Sequence, residues 1–191
     1  DDAHLHLAGF SIADSRMAGT GNGNGQIESG ESIMLTTDVR NGGTAPGEGL
    51  TAGLSTSDPY VTITDGTEAL DPISPGCVVS AVDAFGFSVE TGCPDEHDVV
   101  FDLAFSDGER TVWSDQLVLR VHRPDLKVLL VGIDDSSGDG DGVPEGGETV
   151  EIDVELWNEG SGAANGISGL LTSPGGEITI VDGADSWQDL P

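Results

Sequence analysis

Lysine is almost missing from this 191-residue chain. Lys127 stands alone, and Lys plus Arg number 6 against 35 Asp plus Glu, a formal charge of −29. A surface of that sign speaks against nucleic acid as a partner, which needs a basic face, and against docking on anionic lipid. No apolar run approaches the roughly 20 residues of a membrane helix, so no membrane insertion is expected. Apolar spacing at i, i+3, i+4, i+7 is never sustained, which predicts almost no helix. There is no Asn-x-Ser/Thr signal, no G-x-S-x-G elbow, no P-loop and no dinucleotide fingerprint. Carboxylate pairs abound, but in so acidic a chain they arise by chance, and the sequence reads as non-catalytic. It begins at Asp1 without Met or a leader, as a processed or trimmed product would.

Glycine is plentiful at 29 residues, with 9 prolines. The glycines punctuate apolar segments without a collagen period, a pattern of turns joining short strands. Laid on itself, the chain repeats. Gly21–Gly66 aligns without a gap on Gly138–Gly183, 117 positions on, with Gly25/Gly142, Glu28/Glu145, Gly30/Gly147, Glu31/Glu148, Asn41/Asn158, Leu54/Leu171, Ile63/Ile180 and Asp65/Asp182 identical. Upstream, HLHLAGFSIADS matches DLKVLLVGIDDS once a four-residue insertion is allowed in the first copy, which pairs Asp14 with Asp135. Shared low complexity does not explain this, because the apolar positions coincide as well.

In the first copy the strand candidates are Leu5–Ile12, Ser32–Val39, Gly49–Ser55, Tyr60–Ile63, Val78–Val82, Phe85–Val89, Val99–Phe105 and Val112–Val121. Trp113, Leu117, Leu119 and Val121 would give the last a buried face. In the second copy they are Leu126–Ile133, Thr149–Leu156, Gly166–Leu171 and Ile178–Val181, with no counterpart of Cys77–Val121. The expected fold is all-β: tandem immunoglobulin-like β-sandwiches, residues 1–123 complete and 124–191 a partial repeat. His122-Arg123-Pro124 would be the hinge, since Pro124 interrupts pairing.

Both copies carry an acidic, glycine-rich loop after the first strand. The ligand spacing of an EF-hand loop offers a frame. With Glu148 at position 12, Asp139 falls at 3, Asp141 at 5, Gly142 at 6, the Val143 carbonyl at 7 and Glu145 at 9. With Glu31 at 12, Asn22, Asn24, Gly25, the Gln26 carbonyl and Glu28 follow the same order. Position 1 departs, being Thr20 or Ser137, and Asp14 or Asp135 from the preceding strand end would supply its carboxylate. Oxygen donors at alternate positions, with Gly between them, suit Ca2+, which takes 6–8 hard ligands. Neither loop has Cys or His, which disfavours zinc and copper.

The pattern GNGxGxxExGExxxLxxxxxNxG, followed by an apolar strand and a short VTI-type strand, resembles the immunoglobulin-like accessory modules of large secreted bacterial proteins. Such modules stand beside gingipain-like cysteine peptidase domains and in surface proteins. The resemblance spans the first copy and part of the second, and implies a non-catalytic, extracellular β-sandwich.

Cys77 and Cys93 flank the candidate strands 78–82 and 85–89. A hairpin there would bring them together, so a disulfide is expected, worth roughly 3 kcal/mol in the chain-entropy model. His4 and His6 could share a strand face but read as terminal-strand residues. Trp113, Trp157 and Trp187 could form a carbohydrate platform, though Trp157 reads as a strand residue covering the sandwich.

The incomplete second copy carries the functional expectation. Half a sandwich exposes its core face and strand edges, and a donated strand would complete it. The apolar segment Asp1–Phe10 would be a free donor, giving head-to-tail self-association into a surface fibre. The alternative is a spacer or stalk joined to neighbouring domains of a larger secreted peptidase or adhesin, with carbohydrate binding as a weaker reading.

Overall fold

The computed structural model describes residues 2–14, 21–108 and 111–191, the side chains of Thr111, Val112 and Val131 excepted. Every regular element among them is a strand, so the chain is all-β. It divides into two compact units, Asp1–Arg123 and Pro124–Pro191.

Unit 1 contains β1 (Leu5–Ala13), β2 (Ile27–Glu28), β3 (Ser32–Asn41), β4 (Leu50–Ser55), β5 (Val61–Asp65), β6 (Thr67–Leu70), β7 (Val78–Val89), β8 (His97–Ser106) and β9 (Thr111–His122). One sheet runs β1-β3-β7-β5 and the other β2-β9-β8-β4-β6. The period of two in β3 turns Ile33, Leu35, Thr37, Val39 and Asn41 inward. They meet Phe85, Phe87, Phe101 and Phe105 from β7 and β8, and the rings of Phe87 and Phe101 lie 4.9 Å apart. Leu117, Leu119 and Val121 close the core from β9, and Trp113 is partly buried against it.

Two expectations fail in β7. The predicted hairpin at residues 82–85 is a bulge inside a single 12-residue strand. Leu35 pairs with Phe85 and Thr37 with Ala81, leaving residues 82–84 opposite Thr36. Asp83 takes a left-handed φ of 50°, and its N–H donates to Thr36 Oγ1 at 3.0 Å. A bulge presents the same local turn chemistry as a tight turn, but the partner strand runs on past it. The predicted disulfide fails with the hairpin. Cys77 and Cys93 are free, one exposed and one buried, because β7 stands between them, running along β3 from Arg40 to Ser32, roughly 25 Å of strand at about 3.3 Å per residue.

The expected free donor is also in use. Leu5–Ala13 is β1, paired antiparallel with β3 from Leu5↔Asn41 to Ala13↔Met34, and Leu5 belongs to the core.

Unit 2 contains β10 (Leu126–Asp134), β11 (Glu151–Asn158), β12 (Ser168–Leu170) and β13 (Ala184–Ser186), paired as β10-β11 and β12-β13. These repeat unit 1 in register. Leu126↔Asn158 copies Leu5↔Asn41, and Ser168↔Ser186, Gly169↔Asp185 and Leu170↔Ala184 copy Thr51↔Ala69, Ala52↔Glu68 and Gly53↔Thr67. The isolated bridge Gly47↔Ile73 recurs as Ala164↔Leu190. Ile178–Val181, predicted as a strand, is not one. Its counterpart β5 pairs only with β7, and no strand among the described residues of unit 2 corresponds to β7.

Candidate metal centre

The two loops share one set of backbone-to-carboxylate and Asx-turn hydrogen bonds. Asp14 follows β1 and is buried, and its Oδ2 accepts the Gly25 N–H at 3.0 Å. Asp135, equally buried after β10, accepts from Gly142 at 2.9 Å. Asn24 N–H donates to Asn22 Oδ1 and Gln26 N–H to Asn24 Oδ1, at 2.9 and 2.8 Å. In the second loop Asp141 donates to Asp139 and Val143 to Asp141, at 3.2 and 2.8 Å. Glu31 accepts from the Asn22 and Glu28 N–H groups at 3.1 and 2.9 Å, and Glu148 from those of Asp139 and Glu145 at 3.3 and 2.9 Å.

Glycine makes this path possible. Gly23 and Gly140 have φ of 80° and 79°, Gly25 and Gly142 82° and 83°, and Gly30 and Gly147 89° and 102°. A side chain at these positions would strain the curl that turns successive donors inward.

All twelve residues predicted as ligands therefore lie in these two loops or at the strand ends that feed them. Thr20, the alternative at position 1, lies outside the described residues. In the second loop one oxygen each of Asp135, Asp139 and Asp141 lies within 4.8 Å of the others, as do those of Asp139, Glu145 and Glu148. In the first, the Asn22 and Asn24 amides donate to the Glu28 carboxylate.

The surroundings differ. Loop 1 is anchored by β2, which pairs in parallel with β9 (Ile27↔Val121), so Ile27, Glu28 and Glu31 are buried. Burial raises the Glu31 pKa, and repulsion from Glu28 and Asp14 adds to this, while N–H groups from Glu28 and Asn22 oppose it. Loop 2 has Pro144 in place of Ile27 and no β9 beside it, and Asp139, Asp141, Val143 and Glu145 are exposed.

An all-oxygen donor set of clustered carboxylates, buried at Asp14, Glu28, Glu31 and Asp135, fits a hard divalent cation. Asp14, Asn22, Asn24, the Gln26 carbonyl, Glu28 and Glu31 would hold it in loop 1. Asp135, Asp139, Asp141, the Val143 carbonyl, Glu145 and Glu148 would hold it in loop 2.

The other candidates are dispersed. The His4 and His6 rings lie 6.1 Å apart. His97 bonds Asp58 at 2.8 Å and meets the Tyr60 ring edge-on. Trp157 is exposed opposite Lys127, and Trp187 packs over Gly169, where a Cβ would lie 2.8 Å from its ring.

Asn41 was visible in the repeat without a role. Fully buried, it accepts the His4 and Gly43 N–H groups and donates to the Ala45 and Ile73 carbonyls at 2.8–3.0 Å. Asn158 makes the matching bonds to Asp125, Gly160 and Gly162.

No family model matches the sequence, and no curated protein matches it. Among solved structures, native alpha-2-macroglobulin from Escherichia coli, spanning domain MG7 to the C-terminus, is similar over 68% of this chain and 19% of that one. The identity is 15% and the TM-score 0.39, too loose a likeness to assign a fold family or a function.

Proposed function

We propose that this chain is a non-catalytic, calcium-stabilised structural element built from tandem immunoglobulin-like modules, working outside the cell as part of a larger surface or secreted assembly. The observation that carries this reading is the duplicated loop, with the same donors, acceptors and glycine conformations at 117-residue spacing. A loop kept twice in one chain serves the module rather than a single catalytic centre. Extracellular calcium modules bind at about 10⁻⁴–10⁻³ M, where the ion is plentiful outside cells. The bound ion would offset repulsion among the loop carboxylates and brace the strand ends that feed the loop. A fibre formed by donation of Asp1–Phe10 would require β1 to leave β3, so we favour the connecting, stalk-like role.

Calorimetric titration with CaCl2 tests this, together with melting curves in calcium and in chelator. Two sites are expected, the second tighter because it holds more carboxylates. With Kd of about 1 mM, 10 mM calcium adds about 1.4 kcal/mol per site. Glu31→Gln and Glu148→Gln should each remove one site. Superimposable melting curves in calcium and chelator would overturn the reading.

A further inference from the structure

The open side of unit 2 has a template within the same chain. In unit 1, β3 pairs with β1 on one edge and β7 on the other, and β4 pairs with β6 and β8. Their counterparts β11 and β12 pair only with β10 and β13. Nothing among the described residues of unit 2 corresponds to β7, β8 or β9. Side chains show the consequence. Leu5, Leu35 and Leu54 are 2%, 0% and 5% exposed, while their counterparts Leu126, Ile152 and Leu171 are 39%, 43% and 45% exposed. The unpaired tract Ile178–Val181 marks the same gap, since its counterpart β5 is held only by β7.

We infer that unit 2 is an acceptor for a strand-forming polypeptide segment of the β7–β9 pattern, contributed from outside residues 1–191. Unit 1 specifies the pairing. The first donated strand runs antiparallel to β11 in the register of β3 on β7, facing large apolar side chains to Val150 and Ile152, as Phe87 and Phe85 face Ile33 and Leu35. The second runs antiparallel to β12 in the register of β4 on β8. Opposite Glu151 and Glu155 the donor carries small, hydroxyl or basic residues. Gly86 and Ser80 occupy those places in unit 1, and the Ser80 hydroxyl donates to the Asp38 carboxylate.

A second folded copy does not meet this description. Its β7–β9 and β1 are already paired in its own unit 1. Pairing β11 with another β11 would set Glu151, Asp153 and Glu155 against one another, and like charges across a ladder are destabilising.

This inference is independent of calcium, and the experiment is run in calcium and in chelator so that the two fail separately. Residues Pro75–His122 are appended after Pro191, where the 117-residue offset places them in continuous register. Amide hydrogen exchange is then followed in β11, β12 and Ile178–Val181. The expected result is protection rising by about tenfold or more at these sites, with unit 1 unchanged. Phe85→Asp and Phe87→Asp in the appended copy alone should abolish the gain. Because individual donor side chains can mismatch, a displayed library of the appended segment, randomised at positions facing Val150, Ile152 and Leu156, is selected for protection of Ile178–Val181 from proteolysis. Recovered donors that are apolar inward and uncharged or basic opposite Glu151 and Glu155 support the inference. Unprotected unit 2 amides in the extended chain, together with an empty selection, would overturn it.

Discussion

Leu35 and Ile152 occupy the same place in the two copies, and truncating each to alanine should have unequal costs. Leu35 is fully enclosed, with Phe85 directly across the ladder. Removing its side-chain methyls loses their transfer energy and leaves a cavity that packed phenylalanines cannot fill, about 3–4 kcal/mol. Ile152 is 43% exposed and stands beside an unpaired edge. Much of its surface is already wet and no cavity forms, so Ile152→Ala should cost about 1 kcal/mol. Urea unfolding measures both. Trp113 reports on unit 1 in a Trp157→Phe/Trp187→Phe background, and Trp157 and Trp187 report on unit 2 in a Trp113→Phe background. At typical urea dependences the Leu35 variant should lose about 1–4 M in midpoint. Equal losses at the two positions would refute the reasoning, because Ile152 would then be as well covered as Leu35. In the chain extended with Pro75–His122, the cost at Ile152 should climb towards that at Leu35.

Thr37 has the one buried side-chain polar atom without a hydrogen-bond partner among the described residues, and the second copy carries Val154 in its place. Thr37→Val should stabilise unit 1 by about 1 kcal/mol in the same urea assay, and a loss would mean that the hydroxyl is satisfied. Cys77 should react at once with a thiol reagent in native protein and Cys93 only on unfolding, since burial, then the nearby Asp58 charge, raises the Cys93 pKa. An intact mass two hydrogens short would show a disulfide instead. Burial raises the Glu31 pKa above its ordinary 4.5, so the fold favours the protonated form. That contribution is present below the unfolded pKa and fades as pH rises through the folded one. In chelator, the stability of Glu31→Gln relative to the parent should therefore rise on going from acid towards neutral pH. Identical pH profiles for the two proteins would contradict the assignment.

Much of this architecture was legible in the sequence because it is written twice. The repeat placed Asn41 with Asn158 and Asp14 with Asp135, and the structure gives each pair matching bonds. Pattern alone failed where a partner strand decides the outcome. Thr67–Leu70 and Ala184–Ser186 carry little apolar alternation and become strands because β4 and β12 supply a ladder. Ile178–Val181 carries the pattern and lacks the ladder. At Val82–Phe85 the turn-like chemistry was real, but a bulge satisfies it as well as a hairpin does, and with that substitution the cysteine pairing disappeared.

The short parallel pair β2·β9 gives loop 1 a mechanical meaning. Ile27 and Glu28 lie along Val121 and His122, and the Ser29 N–H donates to the His122 carbonyl at 3.0 Å. His122 is the last strand residue before the chain leaves unit 1 at Arg123. Tension pulling the chain out at that point would load these bonds together with the first β8–β9 pair, His97↔Val121. Parallel bonds strained lengthwise share the load, whereas a peeled edge gives way one bond at a time. The loop that gathers the carboxylates thus also fastens the exit of the module, and an ion that stiffens it would slow forced unfolding, whose rate is set by the first barrier crossed.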